Sequence, residues 1–193
     1  MTKIIGLTGG IGSGKTTIAN YFRNANIPVY IADDEARKIT QLPEIIDQIR
    51  IKFGEAIFDD SILNREKLSK IVFNDPEKLQ LLNSIIHPAV RKHFQDWVLN
   101  HKNAPFVIYE AAILFESGSY KNCDSIITVT APLESRIQRV IQRDNTSRDQ
   151  VLARINAQWN DDQRIAKSDF VIENIDLKSA KLEVDKILKI LKN

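Results

Sequence analysis

The residues with the plainest chemistry are Gly9-Gly10-Ile11-Gly12-Ser13-Gly14-Lys15-Thr16, which fit the spacing G-x-x-x-x-G-K-[ST]. A triphosphate needs a concave ring of backbone N–H groups, and glycine lets a backbone curl that tightly. On this reading Lys15 reaches the β- and γ-phosphates and the Thr16 hydroxyl ligates Mg²⁺. Five of the seven glycines lie within residues 6–14, so the loop is a concentrated feature and not compositional background. A dinucleotide loop, G-x-G-x-x-G, fails because a start at Gly10 and Gly12 puts Lys15 at the third glycine.

Such a loop works only between a strand and a helix N-terminus. Lys3–Thr8 is a short apolar run that reads as a buried strand. Thr16–Asn24 reads as a helix with Ile18, Ala19 and Phe22 on one face. Pro28–Ala32 reads as a second strand, closed by Asp33-Asp34-Glu35. From there to about Asn103 the pattern is helical, with Gly54, Asn74-Asp75-Pro76 and His87-Pro88 as punctuation. Pro105–Tyr109, ending at Glu110, and Ser125–Thr130 read as further strands. Helices are expected over 132–143 and 148–159, then a strand over 170–172 and a terminal helix capped by Asp176. In that last helix Leu177, Ala180, Val184, Ile187, Leu188 and Leu191 form the apolar face. Apolar strands alternating with helices predict an α/β fold, a parallel sheet covered on both faces.

In an open parallel sheet, ligands sit beyond the carboxyl ends of the strands. Those ends carry the glycine loop, Asp33 with Asp34, and Glu110. One acid there can hold Mg²⁺ and another can accept a proton from an attacking hydroxyl. Asp33 is the candidate for that chemistry and Asp34 for capping the following helix, though either acid can cap. Glu110 is either the metal-side acid or a solvated strand-end charge. Arg136, Arg139 and Arg143 share a helix face, and Arg148, Arg154 and Arg164 follow. They read as an arginine-rich lid over a transferring phosphoryl group, against the alternative of a solvated basic face. His87 with Arg91 is either an anion contact or a buried histidine before a proline turn. Trp97 and Trp159 read as packing residues on helices.

Taken together, these segments resemble the dephospho-coenzyme A kinases. The resemblance runs through Leu7–Thr17, Ala32-Asp33, Arg65 and Leu68 before Ile71-Val72-Phe73, and Ile86-His87-Pro88. It continues through Ile113-Leu114-Phe115-Glu116, Gln142-Arg143-Asp144, Gln158, Arg164 and Asp169–Asn174. It implies a P-loop NTPase fold, three-layer α/β/α, in one kinase domain of three parts. These are a core over about 1–33, 104–131 and 165–193, a helical coenzyme A-binding insertion over about 34–103, and a helical lid over about 132–164. It implies transfer of the ATP γ-phosphate to the ribose 3′-hydroxyl of dephospho-coenzyme A, with Mg²⁺. Asp33, Lys15 and Arg143 match catalytic positions. Gly10, Ile11, Gly12, Ser13, Gly14, Lys15, Thr16, Thr17, Arg139 and Asn174 fall where ATP is expected, Asn174 at the adenine end. Arg65, His87 and Leu114, with Asp33, fall where the acceptor is expected. Thr16 and Glu110 are the candidate metal-side residues. Two positions depart from the family pattern: Ile31 replaces a frequent aspartate, and Ala112 a frequent proline.

The rest of the chain sets limits. With 193 residues it is long enough to bury a real core, and its formal net charge of +2 gives no bulk-charge argument for nucleic acid or membrane. The resemblance implies small-molecule partners, ATP and dephospho-coenzyme A, with no nucleic acid and no membrane, for a monomer or small homo-oligomer. Cys123 is the single cysteine, so neither an intrachain disulfide nor a cysteine metal cluster is possible. No signal-peptide pattern and no run of about 18 apolar residues is present, so the expected location is cytoplasmic. A guanine-reading N-K-x-D motif is absent, which weighs against a GTP-dependent switch.

Overall fold

A computed structural model describes residues 2–192. The chain divides into two compact units, Met1–Ile31 with Asn100–Asn193, and Ala32–Leu99.

The first unit is built on five strands, all paired in parallel: β1 (Lys3–Thr8), β2 (Val29–Ile31), β5 (Phe106–Glu110), β6 (Ser125–Thr130) and β7 (Phe170–Glu173). Their order is β2-β5-β1-β6-β7, so β1 is central and its end, where the glycine loop begins, is flanked by β5 and β6. Side chains alternate across a strand. Ile5, Leu7, Phe106, Ile108, Ile127 and Val129 face one layer with Ile18, Ala19 and Phe22 of α1 (Lys15–Asn24). The same layer takes Ala180, Val184, Ile187, Leu188 and Leu191 of α9 (Leu177–Lys192). Leu177, placed by periodicity on that apolar face, is instead 62% exposed in the first turn. Asp176 caps α9 as expected, accepting from the Lys178 and Ser179 amides at 2.9 Å. On the other face a Cβ at Gly6 would lie 2.8 Å from Leu114 and 3.0 Å from Cys123, so the 111–123 turn packs against bare backbone there.

Three helices lie between β6 and β7: α6 (Leu133–Asp144), α7 (Arg148–Asn156) and α8 (Asp161–Ile165). One helix was expected over 148–159. It stops because Asn160 forms a capping box with Gln163 and starts a new one. Trp159 therefore sits in the junction, stacked on Phe115 with ring centroids 5.4 Å apart.

The second unit holds α2 (Ala32–Ile39), α3 (Pro43–Phe53), α4 (Arg65–Phe73) and α5 (Pro76–Asn100). A two-stranded hairpin, β3 (Phe58–Asp59) with β4 (Ile62–Leu63), interrupts what the periodicity reads as helix throughout. Its turn residues Asp60 and Ser61 both have positive φ, a conformation that apolar periodicity does not report. Ile39, Ile45, Ile49, Ile57, Leu68, Leu82 and Ile85 close this unit's own core. His87-Pro88 does not punctuate it, since α5 runs straight through Pro88. Leu79, at helical spacing from Leu82, is 43% exposed. Among the described residues no helix is long and apolar enough to cross a membrane.

Candidate active site

The loop between β1 and α1 has the curl that its glycines predict. Gly12 and Gly14 take φ of 77° and 93°, where a side chain is strained. Contact adds to conformation at these two positions. A Cβ on Gly12 would lie 2.5 Å from the Arg136 carbonyl oxygen, and one on Gly14 would lie 2.0 Å from Asn174 Nδ2. The Gly14 carbonyl accepts from the Thr17 and Ile18 amides and so opens α1. The first turn of α1 holds no acid, which leaves the positive end of its dipole uncompensated. Lys15 donates from Nζ to the Gly9 carbonyl at 2.8 Å, which folds its ammonium back along the loop. Together these features form an anion cradle with a cation at its rim.

The loop's outer carbonyls are held from two directions. Asn174, 2% exposed at the end of β7, donates from Nδ2 to Ser13 O at 2.9 Å. Arg139 donates to Gly12 O and Ser13 O, each at 3.4 Å, and to Asn174 O at 3.0 Å. Gln158 Oε1 accepts from the Ile11 amide at 3.0 Å. Arg136 donates from Nε to Ile11 O at 2.9 Å and from Nη1 to Asp161 Oδ2 at 3.0 Å. Burial lowers the pKa of that guanidinium and the Asp161 carboxylate pulls it back, so Arg136 stays a cation at neutral pH. Ser13 Oγ and Asn174 Oδ1 are buried without a hydrogen-bond partner among the described residues. Buried polar groups are seldom left so, and a bound ligand or water beside the loop would satisfy them.

The six arginines do not form one exposed phosphate-facing surface. Arg136 is 6% exposed and Arg164 is fully buried. Arg164 pairs with Glu116 at 3.4 Å and Asp161 at 3.2 Å. Arg148 pairs with Glu134, and Arg154 with Asp144. Arg143, expected to be catalytic, is bound to Asp144 at 2.7 Å on the exposed end of α6, and that hydrogen bond raises its pKa. Arg136 and Arg139 are the lid candidates that meet the loop, and both meet loop carbonyls.

The remaining candidates are placed as follows. Glu110 is 6% exposed at the end of β5, in register with Leu7 and Ile31, so it is no solvated strand-end charge. Thr16 is exposed in the first turn of α1. Asp33 lies two residues beyond the end of β2, exposed, in the first turn of α2. Asp34 is inside that helix, 3.7 Å from Arg37, and not its N-cap. Arg65 donates to the Arg37 carbonyl at 2.8 Å. His87 is exposed on α5, which removes the buried-histidine alternative. Leu114 has no exposed surface and packs against Gly6, so here it is a floor residue and not a surface that an acceptor touches. Asn174 likewise serves as a strut for the loop. Arg136 and the role of Gln158 were not legible as loop supports. Their sequence signals are the i, i+3 spacing of Arg136 and Arg139 and the match of Gln158 to the family, neither of which points to a loop contact.

Mg²⁺ keeps most of its ligands as water and phosphate oxygen, with one or two protein oxygens. Thr16, an exposed residue directly after Lys15, carries a hydroxyl of the donor type that such an ion takes. No cluster of three or more His, Cys, Asp or Glu side chains suited to a metal is found among the described residues.

The family model for dephospho-CoA kinase matches residues 3–179. A dephospho-CoA kinase of Fusobacterium nucleatum is 40% identical over 172 residues, covering 89% of this chain and 89% of that one. A Thermus thermophilus protein of known structure superposes with a TM-score of 0.90 at 34% identity, covering 98% of this chain and 97% of that one. The dephospho-CoA kinase of Campylobacter jejuni shares the fold, with a TM-score of 0.66 at 23% identity over 98% of this chain and 97% of that one. With its glycine loop at the end of the central strand of a parallel sheet, the chain belongs to the dephospho-CoA kinase family of P-loop kinases.

Proposed function

We propose that this protein transfers the γ-phosphoryl group of ATP to the ribose 3′-hydroxyl of dephospho-coenzyme A, giving coenzyme A and ADP. The observation that carries this reading is the glycine cradle at residues 9–17, with Lys15 at its rim, in a chain of this family. The acceptor oxygen forms a bond to the γ-phosphorus as the bond to the β,γ-bridging oxygen breaks. The 3′-hydroxyl proton passes to the Asp33 carboxylate, which also orients the attacking oxygen. Lys15 and the helix N-terminus neutralise charge on the β- and γ-phosphates. Arg143 joins them by exchanging Asp144 for phosphate oxygen, and Arg139 keeps the cradle shaped from outside. Thr16 and Glu110 would hold Mg²⁺, which when bound supplies charge neutralisation across the β- and γ-phosphates. Arg65 and His87 contact the acceptor. The mechanism is mostly positioning and electrostatics, as phosphoryl transfer requires.

The test is ADP release from ATP, with and without dephospho-coenzyme A, with the product's mass and phosphate position determined. Strong stimulation and one added phosphoryl group at the 3′ position are expected. ATP turnover indifferent to this acceptor would discard the assignment.

A further inference from the structure

Ile11 is the one non-glycine loop residue before Ser13, and its backbone and side chain are all engaged. Its amide donates to Gln158 Oε1 at 3.0 Å. Its carbonyl accepts from Arg136 Nε at 2.9 Å. Its side chain packs against the small core that Ile137, Val140 and Val151 form between α6 and α7. These partners come from the segment between β6 and β7, more than a hundred positions along the chain.

The consequence follows from peptide geometry. In a trans peptide the C=O and the next N–H point in opposite directions, and every described peptide here is trans. Drawing the Ile11 carbonyl outward to Arg136 turns the Gly12 N–H to the other side of the loop. Gly12, at φ of 77°, has no Cβ to resist that orientation. Asp161 holds Arg136 from behind at 3.0 Å, so the guanidinium is fixed at both ends. A planar guanidinium does this better than an ammonium, since it serves two partners from one rigid fork.

We infer that Arg136 and Gln158 are positioning residues that lock the Ile11 peptides and thereby preset the phosphate cradle. The inference rests on the nucleotide-binding reading of the loop. It assigns no contact with ATP to either residue. Without the lock, part of the binding energy of ATP goes into ordering the loop, so nucleotide affinity falls while the acceptor's does not.

The test compares parent, Gln158→Met and Arg136→Met for ADP binding by titration calorimetry with Mg²⁺, for the KM of each substrate, and for amide exchange across residues 9–17. Gln158→Met keeps the length of a half-buried side chain and removes its carboxamide, including the oxygen that accepts from the Ile11 amide. We expect about tenfold weaker ADP binding and a similar rise in the ATP KM, the usual scale for losing such a hydrogen bond. The KM for dephospho-coenzyme A should stay within about twofold, and exchange at residues 11–13 should quicken. Arg136→Lys should recover only part of what Arg136→Met loses, because an ammonium cannot reproduce the fork. Unchanged ADP binding and exchange in Gln158→Met would overturn the inference. So would an equal rise in both KM values together with a fall in melting temperature, which marks general loosening. If the parent fails to phosphorylate dephospho-coenzyme A but ADP binding still weakens in the variants, the acceptor assignment falls and the lock stands.

Discussion

In the proposed reaction Lys15 and Asp33 serve different halves of one transfer, and their substitution should separate binding from turnover. Lys15→Met removes the cation that lies 2.8 Å from Gly9 O, and kcat/KM should drop by about a thousandfold, with ATP binding weakened. Asp33→Asn should lower kcat by about a hundredfold or more while the ATP KM moves little, because a proton acceptor is lost without loss of shape. Steady-state kinetics with both substrates varied checks both, and an Asp33→Asn enzyme with full turnover would remove the base from Asp33. Cys123 makes a residue-scale prediction of another kind. Burial, reinforced by Asp124, pushes its thiol up to about 12 from an ordinary 9.0. The folded state therefore keeps a proton that the unfolded chain gives up. Its contribution to stability is complete below pH 9 and is lost as pH climbs towards 12. Cys123→Ala should flatten the alkaline fall in denaturant midpoint over that window. A thiol reagent at pH 8 should label the parent slowly until it is unfolded.

Elements were legible where one period rules and illegible where a side chain far away decides. The boundaries of β1 and β6 agree with the apolar runs because a buried parallel strand needs nothing more than such a run. The hairpin at 58–63 and the break before α8 depend on positive φ at two residues and on a capping box. Periodicity carries neither. Pro88 is the clearest case of override. Proline inside a helix loses the bond to the carbonyl four residues back, here that of Ser84, yet α5 continues to Asn100. Leu82 and Ile85 are buried just before it, with Ala89 and Val90 packed against the same core just after, and that packing outweighs the local penalty. Pro88→Ala should therefore stabilise the 32–99 unit by about 1–3 kcal/mol, read from the denaturant midpoint. A loss of stability would mean that the proline ring itself contributes to the packing of α5.

At the scale of the molecule, the arginines show how tertiary structure reassigns a sequence pattern. Arg164 reads as a lid cation in the sequence, yet it is fully buried between Glu116 and Asp161 and its carbonyl accepts from the Ser168 hydroxyl. Arg164→Met should cost about 2–3 kcal/mol of stability. That is less than for a fully buried pair, because both carboxylates keep some water, with side chains 20% and 24% exposed. Thermal melting checks it, and ATP kinetics at low temperature should change far less than stability does.

What the sequence by itself determined is the cradle, the strands that present it, the kinase family, and the parallel sheet. The family rests on a resemblance along nearly the whole chain; the others rest on local spacing: glycines that must adopt positive φ, a lysine and threonine fixed next to them, and short apolar runs. Only the tertiary structure decided what surrounds the cradle. It turned Arg136, Arg139, Gln158 and Asn174 into props for loop carbonyls and amides, withdrew Leu114 into the core, and left Arg143 with Asp144. The physical reason is that a buried guanidinium or amide must find its partners wherever the fold places them, and those partners lie far away along the chain.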